Sequence, residues 1–441
     1  MKIAVVGAGI AGLAAAFRLS AAHDVTVFER EDEPGGKIRS EAVDGYLFEW
    51  GPNGFLSSAA ELRALASDAG LDGDVVEADA AASKRCIFWN GRLHALPVKP
   101  QQALRLSLLS AGGKLRAARE LFMRPPKGAP ERESVDAFFA RHFGREVAER
   151  LVAPALLGIS GGDARATSVD ALFPRLRVME RERGSVLRAL ARSASGQRTK
   201  MLGFGPRGMQ HLTRTLAGRL GERLQTGCAV ERVLPESGGW RLTHARGESR
   251  ADALVLAVPA DLAAQMLADA DAELAGLLRE IPYSSMRVVG IAFRSHDVPV
   301  PLDGFGFLAA RGEGVRILGA LYSSSMFPQQ APDGIAYLRV FLGGALDPHA
   351  VALDTASARA IVRADLERTL GIRAEPVAYH EAMWPRAIPQ YGLGHPALVA
   401  EIERRAASHE RLVLTGNAYR GIGVGDAVRD AFAGAARLQQ S

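Results

Sequence analysis

Residues 2–29 leave this chain little freedom in how it begins to fold. Lys2-Ile3-Ala4-Val5-Val6 is a short apolar run that breaks into Gly7-Ala8-Gly9-Ile10-Ala11-Gly12. A helix-forming stretch from Leu13 to Leu19 follows. Val25-Thr26-Val27-Phe28-Glu29 then reads as a second strand, with its acid 22 residues beyond the first glycine. Strand, glycine turn, helix, strand and acid in that order predict a dinucleotide-binding unit. Gly7 permits the tight turn, and Gly9 lets backbone amides approach a pyrophosphate seated on the helix N-terminus. Gly12 lets helix and sheet pack closely, and the Glu29 carboxylate can take ribose hydroxyls. Residues 7–12 and Glu29 are therefore candidate cofactor-binding residues.

The next segment selects the dinucleotide. Pro34-Gly35-Gly36-Lys37-Ile38-Arg39 follows directly. The pattern E-x(5)-G-G-[KR] resembles the FAD fingerprint of the flavin amine-oxidase superfamily, where paired glycines bring the chain against the flavin diphosphate. An NAD dehydrogenase has no such requirement. The resemblance implies FAD, with Arg30, Gly36 and Lys37 among its contacts.

A chain of 441 residues accommodates two or three domains with sizeable cores. Its 23% charged and 48% hydrophobic residues argue against extensive disorder. The N-terminal apolar run is broken by glycine and already serves as a strand, so it does not read as a secretory signal. No run of eighteen apolar residues predicts a transmembrane helix. Cys86 and Cys228 stand in no metal spacing, which suits a reducing cytoplasm. The net charge of +5 is unevenly placed: residues 99–128 and residues 174–200 each carry a net of +6. Basicity thus belongs to one region, and no nucleic-acid partner is expected.

Residues 83–97 read as strand, turn at Asn90-Gly91, strand. From residue 99 to 200 the pattern is helical, with Leu104, Leu108, Leu109, Leu115, Leu121 and Phe122 interleaved among the bases. Further helices are expected over 134–143, 147–157, 209–220, 355–370 and 398–407, and strands over 226–258 and 283–345. Gly203-Phe204-Gly205-Pro206-Arg207-Gly208 also matches GxGxxG, but with no clear strand before it and Pro206 inside it reads as a loop before a helix. Near the C-terminus, the apolar run 411–414 ends in Thr415-Gly416-Asn417, and residues 419–428 open a last helix through Gly421, Gly423 and Gly425. A second glycine-rich strand-to-helix turn can place amides against the flavin, so the two ends of the chain are expected to complete one sheet.

Several segments are similar to oxygen-dependent protoporphyrinogen oxidases. Phe48-Glu49-Trp50-Gly51-Pro52-Asn53-Gly54 resembles their flavin loop. Gly158-Ile159-Ser160-Gly161-Gly162-Asp163, continuing through Ser168, Phe173-Pro174 and Glu180, resembles a second block, and Ile388-Pro389-Gln390-Tyr391-Gly392-Leu393-Gly394-His395 a third. Gly416-Asn417 with residues 421–426 matches their C-terminal flavin turn. The matches run in order from residue 3 to 428.

The resemblance implies an α/β + α architecture with three domains. A discontinuous Rossmann-like FAD-binding domain would take residues 1–82, 201–258 and 409–441. A mixed-sheet substrate domain would take 83–98 and 259–408, and a helical membrane-associating domain 99–200. It implies six-electron oxidation of a porphyrinogen to the porphyrin by molecular oxygen, with release of hydrogen peroxide, in haem biosynthesis. Non-covalent FAD accepts the hydride, so no side chain is assigned as a catalytic acid, base or metal ligand. Arg85 matches an arginine that pairs with a substrate propionate. Phe305, Leu308 and Phe341 match residues that sandwich the macrocycle, and Gly162 a glycine that lets it approach. Gly51, Pro52, Asn53, Gly54, Val230, Trp384, Asn417, Ile422, Gly423 and Val424 match flavin contacts. A cytoplasmic enzyme, peripheral on an anionic membrane and free to act as a homodimer, is the implied setting.

A coproporphyrinogen oxidase of the same family is the alternative. Its substrate has four propionates instead of two, and Lys84 beside Arg85 would supply a further cation. A flavin amine oxidase fits less well, because Ile422 stands where a second aromatic residue is expected. A membrane-surface adaptor that has lost its cofactor conflicts with intact glycines at both flavin turns.

Overall fold

Alternation of apolar residues along Lys2–Val6 sends Ile3 and Val5 to one face and Ala4 and Val6 to the other, and both faces are buried. Such a strand belongs in the middle of a parallel sheet. In the computed structural model, which describes residues 1–97, 102, 105–128, 130–193 and 199–440, it does. The sheet runs Leu224–Gln225, Asp24–Phe28, Lys2–Val6, Ala253–Leu256, Leu412–Leu414, and every neighbouring pair is parallel. Its strands come from the beginning, middle and end of the chain. Helices Ile10–Leu19, Ala60–Asp68, Gln210–Leu220 and Val424–Gln439 bury one face. The opposite face packs on helices Ala260–Leu267, Ala272–Arg279 and His395–Ala406 and on a three-stranded antiparallel sheet beginning at Val230.

A seven-stranded sheet forms the second layer system, in the order Ala378–Pro389, Tyr283–Arg294, Ile335–Gly343, Gly319–Leu321, Gly306–Ala309, Arg85–Trp89, Arg92–Ala95. It is mixed, because Gly306–Ala309 pairs with Arg85–Trp89 in parallel and the other neighbours are antiparallel. The hairpin at Asn90-Gly91 has positive φ at both residues, as a tight two-residue turn requires. Val289, Ile291, Leu338, Val340 and Leu342 point to the helix Thr355–Leu370. Met286, Val288, Tyr337 and Phe341 point the other way, onto Phe48, Trp50 and Leu157. That second face carries the segment 48–51.

The sequence between the two systems is helical, with Val135–Phe143, the π-turn Ala148–Val152 and Ala153–Ser160 in succession. Its interior is charged. Arg177 is 3% exposed and pairs with Glu133, Asp170 and Glu180, and His142 lies fully buried between Glu120 and Glu180. Arg177 and the half-buried Arg141, two bases of the region 99–200, are therefore paired with acids within the fold. The leucines also divide. Leu108 is buried, whereas Leu115 is 69% and Phe122 81% exposed on a helix that covers only Ala111–Ala118 and a following 3₁₀ turn. Lys99, Leu104 and Arg198 lie outside the described residues.

Candidate flavin and substrate cleft

The carboxyl ends of Lys2–Val6, Ala253–Leu256 and Leu412–Leu414 share one edge of the parallel sheet, and both glycine turns leave from it. Gly7 has φ +99°, and a side chain there would lie 2.7 Å from the Ala257 carbonyl. A Cβ at Gly12 would run into the Gly7 carbonyl, whereas one at Gly9 would meet nothing within 4 Å. Gly12 is thus required by packing, whereas the space beside Gly9 is open. Ala8 and Ala11 are buried in the helix–sheet contact, and Ile10 packs against its edge. Glu29 accepts the Ala8 amide at 2.6 Å and the Glu31 amide at 3.0 Å, which holds its carboxylate at the rim of the turn. Arg30 pairs with Glu31 on the surface.

The offset of the paired glycines now has a cause. Gly35 donates to the Ala8 carbonyl at 2.9 Å and bridges to Gly9, and a Cβ on Gly36 would stand 3.3 Å from the Gly9 backbone. The second segment therefore closes over the first turn. Lys37 is half-buried behind it, 5.2 Å from the Tyr283 ring, and desolvation brings its pKa down to about 8. Gly51 lies directly on the Lys37 carbonyl, and Gly54 on that of Leu202. Between them, beyond Pro52, both polar atoms of the Asn53 amide are buried without a partner. A buried, unsatisfied amide fits a polar group supplied by a ligand, and FAD has such groups. Val230 opens its strand beside Cys228, whose amide donates to the Glu29 carbonyl at 2.7 Å.

At the second turn, Gly423 precedes the helix Val424–Gln439, and the Asp426 carboxylate accepts the Gly423 amide at 3.2 Å. Asp430 accepts the Thr415 hydroxyl, the Gly416 amide and the Arg420 guanidinium. Asn417 and Ile422 are both partly buried in the turn so held. The N-terminus of Val424–Gln439 is the second helix start at this edge, so both macrodipoles favour an anion or an electron-rich ring edge there.

The facing surface belongs to the seven-stranded sheet. Leu308, Gly319 and Phe341 stand in one transverse row. Two strand spacings of about 4.8 Å separate the outer pair, with no side chain between them. Leu308 and Phe341 thus flank Gly319 as an aliphatic and an aromatic side chain about 9–10 Å apart at the backbone. Arg85 lies at the exposed end, with its guanidinium 4.8 Å from the Phe305 ring. Trp384 occupies the same face and donates its indole N–H to the Trp50 carbonyl at 2.8 Å, tying the sheet to the flavin loop. Leu308 also touches the helix Ala153–Ser160 at Gly158. Gly162 sits slightly farther along, where a Cβ would come within 2.7 Å of Gln390 and 2.9 Å of Ser160. Lys84, the suggested second cation, is already paired with Asp303 at 2.8 Å.

The family described as flavin containing amine oxidoreductase matches residues 10–439. The chain belongs to that family. Within it, the chain is 30% identical to the mitochondrial protoporphyrinogen oxidase of Nicotiana tabacum, over 97% of this chain and 92% of that one. It is 28% identical to the coproporphyrinogen III oxidase of Bacillus subtilis, over 97% and 95%. A crystal structure from Exiguobacterium, provisionally named protoporphyrinogen oxidase, superposes with a TM-score of 0.85 at 25% identity, covering 100% of this chain and 98% of that one. Putrescine oxidase shares the fold, with a TM-score of 0.71 at 19% identity over the full length of both chains. FAD is the cofactor of this flavin family.

Three features of the site went unassigned in the sequence. Arg339, two residues before Phe341, is 2% exposed; its guanidinium lies 5.0 Å from that ring and donates to the Gly51 carbonyl. Its Nε has no partner, and burial lowers its pKa to about 10. A lone arginine inside the apolar run 335–342 was the available signal. Glu49, within the flavin-loop motif, is pushed up to about 7 by burial while accepting the Met209 amide and the Ser40 hydroxyl. It anchors the helix that follows the second GxGxxG match. That match is preceded by a short strand, Met201–Gly203, which pairs with Phe55–Leu56 and so returns to the flavin loop. A three-residue strand was too short to recognise.

Proposed function

We infer that this chain is an FAD-dependent porphyrinogen oxidase, converting protoporphyrinogen IX to protoporphyrin IX in haem biosynthesis. The slot between Leu308 and Phe341, open to Arg85 and facing the flavin loop, is the observation that carries this reading. Three two-electron steps together remove three hydrides from carbons of the macrocycle and three protons, two from pyrrole N–H groups and one from a meso carbon. Bound flavin supplies the hydride acceptor and passes the electrons to oxygen, which leaves as hydrogen peroxide. The chain itself binds, orients and excludes water. Arg85 can take a propionate in a bidentate fork. Phe305, Leu308 and Phe341 hold the macrocycle flat, and Gly162, with Ser160 and Gln390 around it, shapes the far wall.

The residue sets for FAD and substrate, and the division 1–82, 83–98, 99–200, 201–258, 259–408 and 409–441, are part of this proposal. The five-stranded sheet drawn from three separate stretches supports it. Peripheral membrane association belongs here too. No helix among the described residues is long and apolar enough to cross a membrane. Leu115, Leu121, Phe122, Leu187 and Leu190 are nevertheless exposed on the helical region, among exposed Arg119, Arg124, Arg183 and Arg192. Apolar side chains ringed by arginine suit the interface of an anionic bilayer.

Coproporphyrinogen III is the second reading, favoured by the Bacillus relative and opposed by the commitment of Lys84 to Asp303. Incubating the holoenzyme with each porphyrinogen in air, and following porphyrin fluorescence, separates the two. Porphyrin formed faster from protoporphyrinogen supports the first reading, and failure with both substrates overturns the assignment.

A further inference from the structure

The segment 388–395 does more than set Gln390 beside Gly162. Its side chains turn in two directions. On one side, the Gln390 amide donates to the Ser160 carbonyl at 2.8 Å and to its own neighbour Ile388 at 3.0 Å. The Tyr391 carbonyl accepts the Ser168 amide at 2.8 Å, and Gly392 bridges to Thr167. This side therefore grips the block 158–168, which borders the substrate slot through Gly158 and Leu308.

The other side grips the flavin turn. The Tyr391 hydroxyl donates to the Asn417 carbonyl at 2.7 Å, and the Gly421 amide faces the same hydroxyl. His395 stacks on the Tyr391 ring at 3.9 Å and 11°, and its Nε2 lies 3.1 Å from the Tyr419 carbonyl. A carbonyl only accepts, so Nε2 carries the proton. Both side chains are buried. Burial keeps the phenol protonated and the imidazole neutral, so each remains a hydrogen-bond donor. Three backbone groups of residues 417–421 thus face two stacked rings that belong to another part of the chain.

We propose that Tyr391 and His395 are positioning residues for the flavin-binding turn, and that Gln390 does the same for the substrate-side block. The segment then acts as a two-sided latch. It sets the distance between the turn at 417–423 and the wall of the slot, which a hydride transfer must hold constant. The inference rests on the porphyrinogen-oxidase reading for its substrate arm and on the FAD fold alone for its cofactor arm.

Three holoenzyme variants test it. Tyr391→Phe keeps the ring stack and removes only the hydroxyl. Its FAD dissociation constant should rise about 3- to 30-fold, as for one or two lost buried hydrogen bonds, and the holo-protein should lose more melting temperature than the apo-protein does. His395→Gln, which retains a donor, should fall between wild type and Tyr391→Phe. Gln390→Leu should leave FAD affinity unchanged and raise KM for the porphyrinogen several-fold at saturating FAD. An unchanged FAD dissociation constant in Tyr391→Phe would overturn the proposal, as would equal losses of melting temperature with and without FAD. Wild-type protein that binds FAD but oxidises neither porphyrinogen would instead defeat the functional reading and leave the cofactor arm standing.

Discussion

Substituting Gly9 by valine should separate folding from cofactor binding. Gly9 has φ −69° and ψ 174°, an extended conformation that valine adopts readily, and a Cβ there meets nothing within 4 Å. The apo-protein should therefore be unharmed; a Gly replacement at a compatible site commonly adds about 0.4–1 kcal/mol through the unfolded state. The same side chain occupies the space in which the pyrophosphate must reach the backbone amides. Loss of two charge-assisted hydrogen bonds, at about 1.5–3 kcal/mol each, would weaken FAD by roughly 10²- to 10⁴-fold. Gly12→Ala is the counter-experiment, because its Cβ strikes the Gly7 carbonyl and should destabilise the apo-fold by about 1–3 kcal/mol. Thermal melts of apo-protein and FAD titration by flavin fluorescence measure the two effects. A Gly9→Val protein that binds FAD normally, or that fails to fold without it, would refute the reasoning.

The depressed Lys37 pKa makes FAD affinity depend on pH. In the apo-protein this amine loses its proton near pH 8, and a bound diphosphate favours the charged form. The dissociation constant should be flat below that value and rise as pH increases above it, and Lys37→Met should remove the rise. Arg85→Ala should raise KM more than it lowers kcat; an exposed charge-assisted pair of about 1.5–3 kcal/mol predicts a 10- to 150-fold change, and unchanged kinetics would remove Arg85 from the substrate site. Flotation with anionic vesicles should carry the protein upward at low salt and less so at high salt, with Phe122→Ser weakening it further. Absence of low-salt flotation would mean that the exposed patch serves another surface.

The N-terminal glycine turns were legible because glycine is informative where a turn or a close approach demands it. Gly7, Gly12, Gly35 and Gly51 each stand against backbone that leaves no room for a side chain. The C-terminal turn was legible as a strand that ends in glycine before a helix, and its strand Leu412–Leu414 does join the sheet begun by Lys2–Val6 through Ala253–Leu256. What remained hidden depends on partners far away in sequence. Arg177 reads as a surface base until the fold brings Glu133 and Asp170 to it. Arg339 reads as one charge in a strand until register sets it beside Phe341 and under Gly51. Leu115 and Phe122 have helical spacing, yet their helix is too short to bury them. Periodicity reports which residues share a face and says nothing about what covers that face.

The central claim is that a porphyrinogen in the slot reduces flavin held by the two turns. Mixing holoenzyme with protoporphyrinogen IX in the absence of oxygen tests it directly, with flavin absorbance and porphyrin fluorescence followed together. The flavin should bleach as the substrate is oxidised, and admitting air should restore its colour and drive the reaction to porphyrin. Flavin that stays oxidised with a porphyrinogen present, in protein shown to contain FAD, would contradict the account.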